Sequence, residues 1–358
     1  MDRSIIDYLH ALVRAKGSDL HLSVGIPPSL RVTGEVVPLK TDALTKESLY
    51  GLLMGILTDS QRAKLEQNKE LDFALHIDNV GRFRGNAHYT RGAVEASFRY
   101  ILDVIPSIDD LGHEKVIKKL CGMNDGLVLV TGVTGSGKSS SLAAMISHIS
   151  QNRKGVIITV EDPIEYVFTH GNSVVKQREV GEDTHSFADA LKYALRQDPD
   201  VIMVSELRDM ETIQAAITAA ETGHLVLGTL HTIDAPRTLD RIIDVFPSGQ
   251  QSQIIGQLAN CLRAVVSQKL IKTEKSKDRV LAEEVMIVNH SIRNCIRDRK
   301  FEQIDGLLEI GRKEGMFTID HHLCELLKKD KITVEEAYSA SRDNTVLDTY
   351  LSTKKRRW

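Results

Sequence analysis

Apolar residues at Ile5, Ile6, Leu9, Leu12 and Val13 recur with helical spacing and predict an amphipathic helix near the start of the chain. Short runs with strand character follow at Ser29–Val32, Leu71–Ile77, Arg82–Tyr89 and Ala93–Ile101. Gly25-Ile26-Pro27-Pro28 and Asp78-Asn79-Val80-Gly81 supply turns between them. This pattern predicts a small α+β domain of antiparallel strands over residues 1–102. Pro106 and Ser107 then break any regular element, so 103–112 reads as a linker.

Beyond the linker the pattern changes. Leu127–Thr131, Val156–Val160, Val201–Val204 and Leu225–Leu230 are continuous apolar runs separated by helical periodicity. Strands apolar on both faces belong to a parallel sheet covered by helices on both sides, which predicts an α/β domain over 113–288. Val265–Ile271 and Val280–Ile287, joined by the charged turn Lys272–Asp278, predict a closing antiparallel pair. From Asn289 the pattern is helical to about Tyr350, giving a C-terminal helical region over 289–358, and the basic end Lys354–Arg357 reads as a solvated tail.

A length of 358 residues fits two compact units, and 42% hydrophobic with 27% charged residues excludes a disordered chain. The net charge is 46 − 49 = −3, so no global basic field recommends nucleic acid as a partner. Cys121, Cys261, Cys295 and Cys324 contain no CxxC pair and read as buried thiols in a reducing compartment. The first residues, Met1-Asp2-Arg3-Ser4-Ile5-Ile6-Asp7, lack the basic start of a signal peptide, and no apolar stretch is long enough to cross a bilayer. A cytoplasmic protein is expected, associated with membrane only through a partner.

The densest chemistry is Gly132-Val133-Thr134-Gly135-Ser136-Gly137-Lys138-Ser139, a full GxxxxGK[ST] loop after an apolar strand and before a helical run that starts at Ser140. Glycines let the backbone close around phosphate with N–H groups inward, and the helix N-terminus favours the anion. Lys138 would reach the β- and γ-phosphates and the Ser139 hydroxyl would ligate Mg²⁺. The glycine spacing is wrong for a dinucleotide fingerprint.

Hydrolysis also needs a group that positions water. Glu161-Asp162-Pro163-Ile164-Glu165-Tyr166 ends one apolar strand, where ligands of open α/β sheets collect, and its three acids are candidates for Mg²⁺ or its waters. Asp198–Glu206 is a second strand ending in an acid; it has the shape of a Walker B element with Ser205 in place of the usual preceding acid. Glu206 is therefore the candidate base. Gly223–Thr232 is a strand flanked by His224 and His231, of which His231 lies at the carboxyl end with the other candidates and His224 at the opposite end. His321 and His322 are adjacent and lack the i, i+4 spacing of a metal pair. Arg82, Arg84, Arg99 and Arg241 are candidates for a guanidinium delivered to the phosphates by another domain or subunit.

Together these motifs resemble the secretion-ATPase superfamily of RecA-like motors, and within it the pilus retraction ATPases of the PilT family. The resemblance spans nearly the whole chain: the phosphate loop, the acidic box Glu161–Tyr166, the strand ending at Glu206, the histidine box Gly223–Thr232, and Asp240–Pro247. Ser291-Ile292-Arg293-Asn294-Cys295-Ile296-Arg297-Asp298 resembles the family's AIRNLIRE motif with three changes, and the chain lacks the four-cysteine metal site usual in extension and type II secretion ATPases. The resemblance implies a PAS-like N-terminal domain, a hexameric ring, ATP and Mg²⁺ as ligands, Glu206, Glu165, His231 and Lys138 in catalysis, and Ser139, Glu161 and Asp162 near the metal. It also implies docking on a pilus platform protein at the cytoplasmic face of the inner membrane. A motor needs ATP to change the angle between domains, so the linker is the expected hinge and ATP is expected to draw Arg82, Arg84 and Arg99 toward the phosphates. An accessory or extension motor of the same superfamily, and a non-hydrolysing nucleotide-binding ring, are the alternatives.

Overall fold

The computed structural model describes residues 4–101, 104–273 and 279–355. Asp103 of the expected linker, most of the turn Lys272–Asp278, Met1–Arg3 and the end of the basic tail lie outside the described residues. The chain divides into two compact units: Met1–Val104 with Pro163–Val167, and Ile105–Asp162 with Phe168–Trp358.

The first unit opens with a helix over Ile5–Arg14, capped reciprocally by Ser4 and Asp7, which buries Ile5, Tyr8, Leu9 and Leu12. Ile6 faces outward instead and is 40% exposed. Six strands follow: β1 (Asp19–Leu22), β2 (Ser29–Val32), β3 (Glu35–Pro38), β4 (Glu70–Ile77), β5 (Gly81–Thr90) and β6 (Ala93–Ile101). They form one antiparallel sheet in the order β3-β2-β1-β6-β5-β4. Alternation along β5 turns Phe83, Gly85 and Ala87 inward, and Gly85 lies directly opposite Phe73 of β4, whose ring occupies the place of a Cβ. The sequence pattern missed β1, β3 and the helices Lys46–Met54 and Asp59–Asn68. The reasons are physical: β3 is exposed throughout, and Asp59–Asn68 buries only Leu65, so neither carries hydrophobic periodicity.

The second unit holds a seven-stranded sheet of β7 (Gly126–Thr131), β8 (Val156–Glu161), β9 (Val174–Glu179), β10 (Val201–Val204), β11 (Leu225–Leu230), β12 (Leu262–Lys272) and β13 (Arg279–Ile287). Its order is β13-β12-β7-β11-β10-β8-β9, parallel except for the antiparallel β12–β13 pair at one edge. β7, β10 and β11 are buried at every residue, which is why they read as unbroken apolar runs. β9, the other edge, buries only Val175 and Glu179 and escaped notice. Helices Lys138–Asn152, Met210–Glu221, Ala235–Asp244 and Ser248–Cys261 supply the apolar side chains that cover the sheet. At the C-terminal end the helix Ile319–Lys328 packs Ile319, Leu323 and Leu327 with Ile271 of β12 and Ala282 of β13. All four cysteines are buried and unpaired, in keeping with their sequence pattern.

Candidate nucleotide site

Parallel register brings the candidate residues together. Val204 of β10 lies beside Val160 of β8 and Gly228 of β11, and Leu230 of β11 beside Thr131 of β7. The four strands therefore end nearly level, and the residues just past their carboxyl ends share one edge of the sheet.

The loop after β7 begins at Gly132, whose φ of +146° suits glycine; a Cβ there would meet the Gln268 carbonyl oxygen and the Ser136 hydroxyl, each at 2.5 Å. Gly135 and Gly137 also take positive φ, at +79° and +92°. The helix Lys138–Asn152 starts without a side-chain cap, leaving its first N–H groups to the loop's concavity. Thr134 and Ser139 are exposed, Ser140 half-buried and Ser136 buried. Lys138 is buried, and its Nζ donates to the Gly132 carbonyl at 2.7 Å and the Val133 carbonyl at 3.2 Å.

From Lys138 a continuous line of side chains crosses the edge. His231 Nδ1 lies 3.5 Å from Lys138 Nζ. His231 Nε2 lies 3.0 Å from Glu206 Oε1. Glu206 Oε2 accepts from Arg208 Nη2 at 2.7 Å, and Arg208 Nη1 stands 3.9 Å from Asp162 Oδ2. Because Nδ1 faces an ammonium, it is Nε2 that carries a proton and donates it to Glu206. Burial pushes the Glu206 carboxyl up, but the hydrogen bond and charge of Arg208, with those of His231, outweigh it and hold the group below its ordinary value. Glu206 is thus ionised at neutral pH, with its oxygens held by two donors.

The other candidates have settings of their own. Glu161 is buried, and its Oε1 accepts from Thr159 Oγ1 at 2.7 Å and Gln177 Nε2 at 3.0 Å. Among the described residues no three His, Cys, Asp or Glu side chains gather as a metal-holding group, so the three acids of the acidic turn do not converge on one ion. Glu165 falls within the stretch 163–167 that clusters with the first unit and is half-buried. In that unit Arg82 and Arg84 lie on β5 and Arg99 on β6, where Arg99 Nε donates to Asp19 Oδ1 at 2.8 Å. Arg241 is exposed on the helix Ala235–Asp244. His224 Nδ1 sits 3.0 Å from the Ala219 carbonyl at the amino end of β11, remote from the carboxyl edge.

Two features were not foreseen. Arg208 binds Glu206 from two residues further along Ser205-Glu206-Leu207-Arg208, a spacing that keeps both side chains on one side of extended backbone. Behind the loop, His113 Nδ1 lies 2.7 Å from Glu283 Oε2 and its Nε2 lies 2.9 Å from Ser141 Oγ in the first turn of the loop's helix. Gln268 Nε2 donates to the same hydroxyl at 2.9 Å, and Ser141 Oγ donates to the Gly137 carbonyl at 3.1 Å.

Residues 97–347 match the family described as type II/IV secretion system protein. The chain belongs to that family. This secretion ATPase is 43% identical, over 93% of its length and 96% of the relative's, to the type IV pilus retraction ATPase PilT of Pseudomonas aeruginosa. It is 40% identical to the type IV pilus ATPase PilU of the same organism, over 92% of this chain and 86% of that one. Among solved structures, the pilus retraction motor PilT with bound ADP superposes with a TM-score of 0.91 at 44% identity, covering 97% of this chain and 99% of the other. The ATPase fold is RecA-like, as the family resemblance implied, and the enzyme is an ATP hydrolase. No helix among its described residues is long and apolar enough to cross a membrane.

Proposed function

We propose that this secretion ATPase is a motor that retracts type IV pili, working as a ring of six copies docked on a platform protein at the cytoplasmic face of the inner membrane. The line Lys138–His231–Glu206–Arg208–Asp162 carries the reading. It joins a phosphate-binding lysine to an ionised carboxylate through a histidine, which is what a site needs if γ-phosphate loss is to be felt beyond the phosphates.

The loop N–H groups and Lys138 hold the phosphates. Glu206 accepts a proton from the attacking water, while His231 and Arg208 fix the carboxylate's orientation. Mg²⁺, entering with the nucleotide, would be held by the Ser139 hydroxyl and, through water, by the exposed Asp162, and would neutralise phosphate charge. Direct ligation by Glu161 through Oε1 would compete with the bonds that oxygen accepts from Thr159 and Gln177.

Glu206→Gln tests both levels. In purified protein it should retain ATP binding and lose turnover by about 10²-fold or more. In cells whose only copy carries the substitution, surface pili should rise and twitching should cease. Silent turnover would sink the assignment of Glu206, and fewer pili would reverse the direction of force. The chain is also 40% identical to a second type IV pilus ATPase, and one second reading is an accessory motor of the same superfamily, which predicts unchanged pili whenever a retraction paralogue is present.

A further inference from the structure

On the second unit, away from the nucleotide edge, a cleft of about 550 Å³ opens between the start of the unit and the C-terminal helices. That volume lies in the range of small-molecule sites. Val116, Met316 and Phe317 form its apolar lining, and Lys115, Lys119, Arg312, Lys313 and Lys329 bring five cations to it against two acids, Glu114 and Glu325. Among the described residues none of those five cations makes an ion pair, although the chain as a whole is acidic. Gathering like charges unpaired in one concavity costs free energy that an anion relieves.

His322, also in the lining, is only 5% exposed. Its Nδ1 lies 3.0 Å from the Glu283 backbone nitrogen and 3.2 Å from the Glu283 carbonyl oxygen, contacts that fix the ring at the cleft wall. Burial lowers the His322 pKa, keeping the ring neutral at pH 7. The cleft thus offers a neutral imidazole, an apolar wall and five cations.

We propose that this cleft is a second anion site, taking a phosphate-bearing ligand of about mononucleotide size. Glu283 links it to the phosphate loop. Its Oε1 accepts the backbone N–H of Glu114, a cleft residue, at 2.8 Å, and its Oε2 holds His113, which reaches Ser141 in the first turn of the loop's helix. A ligand that shifts Glu114 or His322 therefore acts on the loop through three buried side chains, Glu283, His113 and Ser141.

The test uses full-length protein saturated with ADP and Mg²⁺, so that the phosphate loop is filled, titrated calorimetrically with inorganic pyrophosphate. Saturable binding near one equivalent per chain is expected, weakened about tenfold or more by Lys119→Glu with Arg312→Glu and restored by Lys119→Arg with Arg312→Lys. Basal ATP turnover of each variant checks that the fold is intact. A parallel sedimentation with phosphatidylglycerol vesicles assigns the source: charge-dependent co-sedimentation identifies a lipid headgroup, and its absence beside pyrophosphate binding identifies a soluble phosphate. The proposal fails if wild-type protein binds neither probe up to about 10 mM, or if charge reversal leaves binding unchanged.

Discussion

Replacing His113 by alanine tests whether the buried relay holds the second unit together. Glu283 is fully buried, and His113 supplies a contact at 2.7 Å to one of its oxygens; among the described residues the other is held only by the Glu114 N–H at 2.8 Å. Removing one partner of a buried imidazole–carboxylate pair costs about 3–5 kcal/mol, mostly because the remaining group stays desolvated. For a unit of this size each kcal/mol lowers Tm by roughly 2–4 °C, so His113→Ala should depress Tm by about 6–20 °C in scanning calorimetry at fixed ADP. Glu283→Gln alone should also destabilise, but the double variant should fall short of the sum by about 0.5–3 kcal/mol, since both changes break one interaction. ADP affinity should weaken by less than about tenfold, because Gln268 still holds Ser141 at 2.9 Å. A Tm drop below about 2 °C, or strict additivity, would refute the claim that the pair is coupled and structural.

Two further outcomes follow from the titrating groups. Burial raises the Glu284 carboxyl to about 7, with Arg342 opposing. The folded chain then holds a proton that the unfolded chain releases near the ordinary 4.5, so this contribution to stability is complete at acid pH and is lost as pH rises toward 7. Glu284→Gln should therefore gain stability over wild type at pH 8, by at most about 3 kcal/mol, and show little gain at pH 5; urea titrations at both values check the sign. Arg208→Ala removes the hydrogen bond and charge that hold Glu206 low, so the acid limb of the pH–kcat profile should move to higher pH. An unmoved limb would mean that Glu206 is not the titrating base.

Legibility in the sequence followed burial and proximity along the chain. The strands β7, β10 and β11 announced themselves because every residue in them is buried, whereas β3 and β9 did not because an edge strand needs few apolar side chains. The phosphate loop was legible since its three glycines and its lysine fall within the short stretch Gly132–Lys138, and each of those glycines takes a positive φ. Glu206 and His231 were placed correctly on the sheet's carboxyl edge because parallel strands deliver their ends to one side. What stayed hidden is contact across distance. His113 and Glu283 meet from 170 residues apart, and no local pattern marks either. Glu161 carries contacts of the same hidden kind: its Oε1 accepts from Thr159 and Gln177, the latter on the neighbouring strand, and no local pattern marks the pairing.

The spatial order β12-β7-β11-β10-β8 has a consequence during synthesis. The phosphate loop leaves the ribosome early, by Ser139, but β7 finds both neighbours only when β11 and then β12, ending at Lys272, have emerged. Until then the loop's strand has no sheet to stand in, and His231 has yet to meet Glu206. A chain made from one end therefore carries a phosphate loop for 272 − 139 = 133 of its 358 residues without a working site, and becomes competent to spend ATP only when most of the second unit exists to do something with it.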